Sequence, residues 1–187
     1  MKHDTKNNPQ KNLESSFSLP RVKLKAIDLS DPNELDWLHS FIHSHHSSPE
    51  FILPGQSDLQ NPALRFFKAI GVHPKPIHNK AVGITSYEVR TPYLAETQKL
   101  IIDPKFRGMG LGKILSAAIE AEVKKAGFHK IRSCIYSSNL VMLQIKLKQG
   151  YTIEGYHPDH DGPRLHEYSL GKMLKKDRRR GDKKSKS

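Results

Sequence analysis

The segment LIIDPKFRGMGLGKIL, residues 100–115, constrains the fold more than any other part of the chain. An apolar, β-rich run ends at Asp103-Pro104, glycines follow at 108, 110 and 112, and the chain continues as LGKILSAAIEAEVKKAG. There Leu111, Leu115, Ile119 and Val123 recur every four residues, Lys124 and Lys125 fall in the final turn, and Gly127 stands where a helix cap belongs. A strand, a bare-backbone turn and an amphipathic helix are therefore predicted in direct succession. Such a turn lets successive N–H groups point at one spot, and the positive end of the helix adds to them, so it suits a phosphate. Arg107 adds a charge-assisted donor at the entrance. A Walker A loop is excluded, because its G-x-x-x-x-G-K-S/T spacing is absent and Lys113 is followed by Ile114, which has no hydroxyl for magnesium. A Rossmann turn needs G-x-G-x-x-G after the first strand of its unit, whereas this turn reads G-x-G-x-G and follows the third strand of the reading.

Upstream, RVKLKAI alternates as a strand, and DPNELDWLHSFIHSHH reads as a helix with Asp31 as N-cap, Pro32 at the first helical position, and Leu35, Leu38 and Ile42 on one face. The stretch HSSPEFILPGQSDLQNP is broken by Pro49, Pro54, Gly55 and Pro62 and reads as a long loop that shapes a substrate pocket. NPALRFFKAI reads as a short helix, and AVGITSYEV and YLAETQKLIID as strands. Downstream come the strand KIRSCIY, a helix from Asn139 to a cap at Gly150, and two strands, YTIEGYH and RLHEYSL, joined by a turn around Asp161 and Gly162. The order β-α-α-β-β-α-β-α-β-β predicts an α/β (α+β) domain with a partly parallel sheet and helices packed on it.

At 187 residues the chain suits one domain, expected over residues 20–174, after a polar, flexible arm at 1–19 and before a disordered tail at 175–187. The tail, KKDRRRGDKKSKS, contributes a net +6, half of the formal charge of +12. It suits weak contact with nucleic acid, ribosomes or anionic lipid, although a solubilising end is its simplest use. No run approaches the roughly 20 apolar residues of a membrane-spanning helix, and the first residues carry no apolar leader, so a cytoplasmic protein without membrane contact is expected. Cys134, the single cysteine, lies in an apolar run and is expected to be a buried small hydrophobe. His39 and His43, four apart with His45 and His46 beyond, have a zinc-compatible spacing but no third ligand type, so no metal is assigned.

Arg107-Gly108-Met109-Gly110-Leu111-Gly112 matches R/Q-x-x-G-x-G/A, and with the surrounding DP-x-x-RG-x-G-x-G phrase it resembles the GNAT N-acetyltransferase superfamily. Glu96, eleven residues before Arg107, and Asn139, eleven before Gly150-Tyr151, continue the resemblance. It spans Arg21 to Leu174, with its motifs between Glu96 and Tyr151. The resemblance implies a mixed, splayed central sheet flanked by helices, with acetyl-CoA as co-substrate between the strand ending at Ile102 and the strand Lys130–Tyr136. The pyrophosphate would rest on the amides of Arg107, Gly108, Met109, Gly110, Leu111, Gly112 and Lys113. The pantetheine arm would pair with Leu100, Ile101 and Ile102, helped by Asn139. The acetyl group would pass directly to the amine of a small molecule or protein. Glu96 is then the candidate base, acting through water, with a backbone N–H near Ile101 as oxyanion donor. The family's tyrosine seven residues after the asparagine is replaced by Lys146, leaving Lys146, Tyr136 and Tyr168 as candidate acids. Asp159, His160 and Asp161 would border the acceptor. Two other readings keep the fold without turnover: a CoA-binding regulatory domain, and a nucleic-acid- or ribosome-associated module using the basic tail.

Overall fold

The computed structural model describes residues 20–45 and 53–174. The arm at 1–19, the tail at 175–187 and the central part of the proline-broken loop, 46–52, lie outside the described residues. The elements are β1 (Arg21–Ala26), α1 (Pro32–His45), α2 (Gln56–Leu59), β2 (Leu64–His73), β3 (Ala81–Val89), β4 (Leu94–Ile102), α3 (Leu111–Lys125), β5 (Lys130–Tyr136), α4 (Leu140–Lys148), β6 (Thr152–His157) and β7 (Glu167–Met173). Seven strands form one mixed sheet in the order β1-β2-β3-β4-β5-β7-β6. Among the described residues β4 and β5 are its one parallel pair.

Two expectations need correction. NPALRFFKAI is not a helix: Leu64–His73 is a ten-residue strand paired with β1 on one side and β3 on the other. Both its faces are covered, Phe66 lying against α1 and Ala69 against α3, so the alternation that marks a half-exposed strand is lost. The glycine turn accordingly follows the fourth strand. The expected loop also contains a short helix, α2, whose Leu59 is buried beneath α1.

Adjacent side chains of β4 show how the layers are divided. Ile101 joins the cluster of Leu35, Leu38, Phe41 and Ile42 from α1, while Ile102 joins that of Leu111 and Leu115 from α3. Successive strand residues point to opposite faces, so α1 and α3 cover opposite sides of the sheet. Each fully buried Leu or Ile stabilises this arrangement by roughly 1.5–3 kcal/mol, which holds the N-terminus of α3 firmly at the end of β4.

The feature that positions the site is the divergence of β4 from β5. Their pairing runs from Leu94↔Lys130 to Thr97↔Ser133, where the Thr97 hydroxyl donates to Ser133 Oγ at 2.8 Å. Beyond that point Gln98 and Lys99 both oppose Ser86 of β3, since Tyr87 pairs with Thr97 and Thr85 with Leu100. This bulge is held by a 2.9 Å bond from Lys99 N–H to Ser86 Oγ. A bulge bends its strand, and here β5 stays straight against β7 as far as Tyr136↔Glu167. The two central strands therefore part, leaving a wedge between them.

Candidate active site

At the end of β4, Asp103 caps a 3-10 turn, Pro104–Phe106, by accepting from Lys105 N–H at 2.9 Å. The chain then reaches α3 through Gly108 and Gly110 at φ 78° and 76°. A Cβ at either would meet nothing within 4 Å. Backbone conformation rather than crowding thus calls for glycine here. Gly110 is the N-cap of α3 and offers no side-chain cap, so the first amides of the helix stay open to an anion. Met109 packs against the cluster beneath α3, Leu111 is buried, and Lys113 is exposed. The Arg107 guanidinium donates to the carbonyls of Ile102 at 3.3 Å and His45 at 3.1 Å, tying the last turn of α1 to the phosphate turn.

Between the parted strands lies a cleft of about 960 Å³, lined by Leu100, Ile101 and Ile102 on one wall and by Cys134, Tyr136, Asn139 and Lys146 on the other. Its volume suits a large, extended ligand. The β4 wall presents backbone that β5 no longer pairs, and Thr85 contributes a buried hydroxyl with no hydrogen-bond partner in the structure. Free polar groups of this kind fit the amide-rich arm of acetyl-CoA. Asn139 serves as N-cap of α4, its Oδ1 accepting from Met142 N–H at 3.1 Å.

Glu96 faces the opposite side of the sheet from α3, and only 5% of it is exposed. One carboxylate oxygen accepts from Arg90 Nη2 at 2.8 Å and Gln98 Nε2 at 3.1 Å; the other accepts from Nε of Arg132, whose Nη2 lies in ion-pair contact with the same oxygen. An ionised carboxylate has about four acceptor sites, and here three N–H donors and a further guanidinium nitrogen crowd around them. The bond to Glu96 in turn holds the Arg90 guanidinium above its ordinary pKa. Arg90, Gln98 and Arg132 were invisible as partners in the sequence, because register alone brings Arg132 beside Glu96.

The three candidate acids are differently placed. Lys146 is buried, with Nζ 4.6 Å from the centre of the Tyr151 ring, and burial lowers its pKa from 10.5 to about 8; Glu120 opposes that shift and Lys172 adds to it. Tyr136 lines the cleft and donates to Asp161 Oδ2 at 2.6 Å. Tyr168 pairs with Ile135 on the core side of the sheet, stacks 5.1 Å from Tyr156 and does not line the cleft.

No curated protein matches the chain by sequence. A family model described as the acetyltransferase (GNAT) family matches residues 34–151, well over half of the chain. The chain belongs to the GNAT family. Solved GNAT-fold structures are distant in sequence. The ribosomal-protein-S18-alanine N-acetyltransferase from Escherichia coli is 13% identical, with 88% of this chain and 99% of that one covered at a TM-score of 0.67. The aminoglycoside 6'-N-acetyltransferase from Enterococcus faecium is 16% identical, covering 83% and 98% at 0.62. Mutant forms of the spermidine/spermine N-acetyltransferase from Vibrio cholerae are 16% identical, covering 82% and 94% at 0.62. At these identities the likeness is one of fold. This GNAT chain is thus an acetyltransferase on a mixed sheet flanked by helices, and no helix among its described residues is long and apolar enough to cross a membrane.

The far end of the GNAT cleft holds groups that the sequence reading passed over. Cys134 is exposed there, contrary to the buried role expected of it, because β4 has already turned away from β5 at that level. Its thiol pKa is nevertheless pushed up to about 11, by desolvation first and then by the negative charges of Glu96 and Glu167. Glu167, opposite Tyr136 on β7, lines the same end. Desolvation raises its pKa, Asp161 and Glu96 raise it further, and His160 and His157 oppose them. Alternation in HEYSL was the available signal, since it sets Glu167 and Tyr168 on opposite faces. His157 bonds Ser169 Oγ at 3.0 Å, and Asp159 accepts from Arg164 N–H at 2.5 Å, within the β6–β7 connection. No group of three or more potential metal ligands occurs among the described residues.

Proposed function

We propose that residues 20–174 form a domain that transfers an acetyl group from acetyl-CoA directly to a primary amine. The observation that carries this reading is the opening of β4 from β5 beyond Thr97, with the mouth of the wedge at an anion-ready turn. In this reading the amides from Arg107 to Lys113 hold the pyrophosphate, and the unpaired backbone of Leu100, Ile101 and Ile102 pairs with the pantetheine arm. An N–H near Ile101 faces the thioester oxygen, where it favours the charge that develops during attack. Arg107 exchanges its two carbonyl partners for a phosphate oxygen.

Lys146 is the candidate proton donor to the departing thiolate. A pKa of about 8 lies close to the ordinary thiol value of about 8.5, so the proton moves with little free-energy change. The alternatives are Tyr136, already engaged by Asp161, and Tyr168, turned into the core. The named activities of the structural neighbours, on alanine of ribosomal protein S18, aminoglycosides and spermidine or spermine, support amines of small molecules or proteins as the acceptor class.

Titration calorimetry with acetyl-CoA, paired with thiol release in the presence of amines, tests the reading. Micromolar binding to the wild type and weakened binding to Gly110→Val are expected. Absence of heat at millimolar acetyl-CoA would remove it.

A further inference from the structure

We infer that Glu167, and not Glu96, takes the proton from the acceptor amine, and that the acceptor enters the cleft as a cation. This rests on the acetyl-transfer reading above. A general base needs an acceptor site facing the substrate; of the three carboxylates that line the cleft, Asp161 is engaged by the Tyr136 hydroxyl, and Glu96 and Glu167 differ in just that respect. Three N–H donors already hold the two oxygens of Glu96 and a second nitrogen of Arg132 lies against one of them, so a water or amine would have to compete with two guanidiniums and the Gln98 amide. The Glu167 carboxylate accepts no side-chain hydrogen bond among the described residues; the basic side chain in ion-pair range is His160, with Nε2 3.9 Å away. Its side chain is 12% exposed and lines the cleft.

Strand geometry puts Glu167 where the acceptor must enter. Arg132, Cys134 and Tyr136 alternate onto one face of β5, the face that also holds Glu96, and Glu167 stands directly across from Tyr136. This is the sheet face opposite α3 and α4, approached from the β6–β7 connection. The groups around Glu167 are Tyr136, Cys134 and Arg132 of β5, Asp161 and His160 of the connection, His157 of β6 and Glu96 of β4. Arg132 is committed to Glu96, and Asp161 to the Tyr136 hydroxyl. The uncompensated charge of this end is therefore negative, and it favours an ammonium group over a neutral amine. A carboxylate whose proton affinity is raised by its surroundings is also the better acceptor of that ammonium's proton.

The step balances as follows. The ammonium gives one proton to Glu167, and the freed nitrogen lone pair forms a bond to the acetyl carbonyl carbon. The carbon–sulfur bond breaks with its electron pair on sulfur. Lys146 gives its proton to that sulfur and is reprotonated by the second proton from nitrogen, giving the amide and free CoA thiol, and Glu167 returns its proton to water.

The test measures CoA thiol release at saturating acetyl-CoA with spermidine, kanamycin and an alanine-terminated hexapeptide as cationic probes and aniline as a neutral one, for wild type, Glu167→Gln, Glu167→Asp and Glu96→Gln. At least one cationic probe should react. With it Glu167→Gln should lower kcat/KM by roughly 10²-fold or more at pH 7, and by less as rising pH supplies neutral amine. Glu167→Asp should keep part of the rate with a shifted pH profile, while acetyl-CoA affinity by calorimetry stays unchanged in both. Glu96→Gln should leave the shape of the pH profile as in wild type. Wild-type rate and pH profile in Glu167→Gln would overturn the assignment; so would acetyl-CoA binding with no release from any cationic probe, or from aniline alone. If Glu167→Gln does not fold, an unshifted profile in Glu167→Asp overturns it. Loss of acetyl-CoA binding by the wild type would instead strike the acetyl-transfer reading itself.

Discussion

The two halves of the β4–β5 pair use their polar groups in opposite ways. From Leu94 to Thr97 the strands are hydrogen-bonded, Thr97 is latched to Ser133, and Glu96 is enclosed by Arg90, Gln98 and Arg132. Beyond the bulge at Gln98 and Lys99 the strands separate, and the gap is lined by the unpartnered Thr85 hydroxyl, by Lys146 over the Tyr151 ring, and by Glu167, whose carboxylate accepts no side-chain hydrogen bond among the described residues. A crowded carboxylate and an open one thus lie on the same face of one sheet. The closed half holds the geometry, and the open half retains the capacity to bind and to move protons. Charge in a cleft is by that reasoning a poor guide to catalysis until its partners are counted.

The sharpest way to break the contrast is to remove the carboxylate of the closed half. Glu96→Ala leaves Arg90 and Arg132 facing each other across a buried space. Loss of one partner of a fully buried pair costs about 3–5 kcal/mol, but these guanidiniums are 40% and 36% exposed and can turn to water, so about 2–3 kcal/mol is expected. Urea denaturation would read this loss. An unchanged midpoint would mean that the closed half is not held by its ion pairs.

In the open half the effect should have the other sign. Lys146 has a folded pKa of about 8 against an ordinary 10.5, so between those values the unfolded chain binds more protons than the folded one and stability rises with pH. Lys146→Met removes the buried charge. The variant should be more stable than wild type by about 2 kcal/mol at pH 7, with the difference shrinking from pH 8 and gone by about pH 10.5. Melting temperatures of both proteins across that range check it; a less stable variant at pH 7 would show that the ammonium is well accommodated. If Lys146 protonates the thiolate, turnover should fall even as stability climbs.

Smaller effects come from the turn and the thiol. Gly110→Ala should cost about 1 kcal/mol of stability through its left-handed φ of 76°, and a circular dichroism melt suffices to see it. Cys134 should react slowly with iodoacetamide at pH 7 despite its exposure, because its pKa of about 11 leaves little thiolate, and faster as pH rises toward that value. Rapid labelling at neutral pH would mean that desolvation and the charges of Glu96 and Glu167 do not hold the thiol up as described.

How much of this was readable from the residues depends on whether the signal was local. The helix Leu111–Lys125 and the turn before it were legible because four-residue apolar spacing and three glycines are contiguous facts. Strand β5 was legible too, matching KIRSCIY end to end. Leu64–His73 was misread because a strand buried on both faces offers no alternation, and Ala63, Phe66, Phe67 and Ile70 fall at the i, i+3, i+4 and i+7 positions of a helix face. Glu96 was visible as a residue, but its crowding was not. Gln98 and Arg90 lie within six positions of it, yet Arg132 reaches it only through a parallel register formed after a whole helix has intervened. The exposure of Cys134 follows from the bulge one strand away, which leaves no trace in the apolar run around the cysteine.

The Arg107 clasp on the His45 carbonyl has a consequence for thermodynamic linkage. The guanidinium spends two of its five N–H donors on carbonyls, so a phosphate that drew it away from them would set occupancy of the turn against attachment of the last turn of α1. Whatever firms that attachment would then weaken the affinity of the turn, by the same factor with which an anion in the turn loosens α1. His45 also sets its Nε2 3.6 Å from Asp103, on the capping residue of the turn. With an anion held in the turn by Arg107, the end of α1 and the turn would report a single equilibrium, and a ligand placed at either one would be felt at the other.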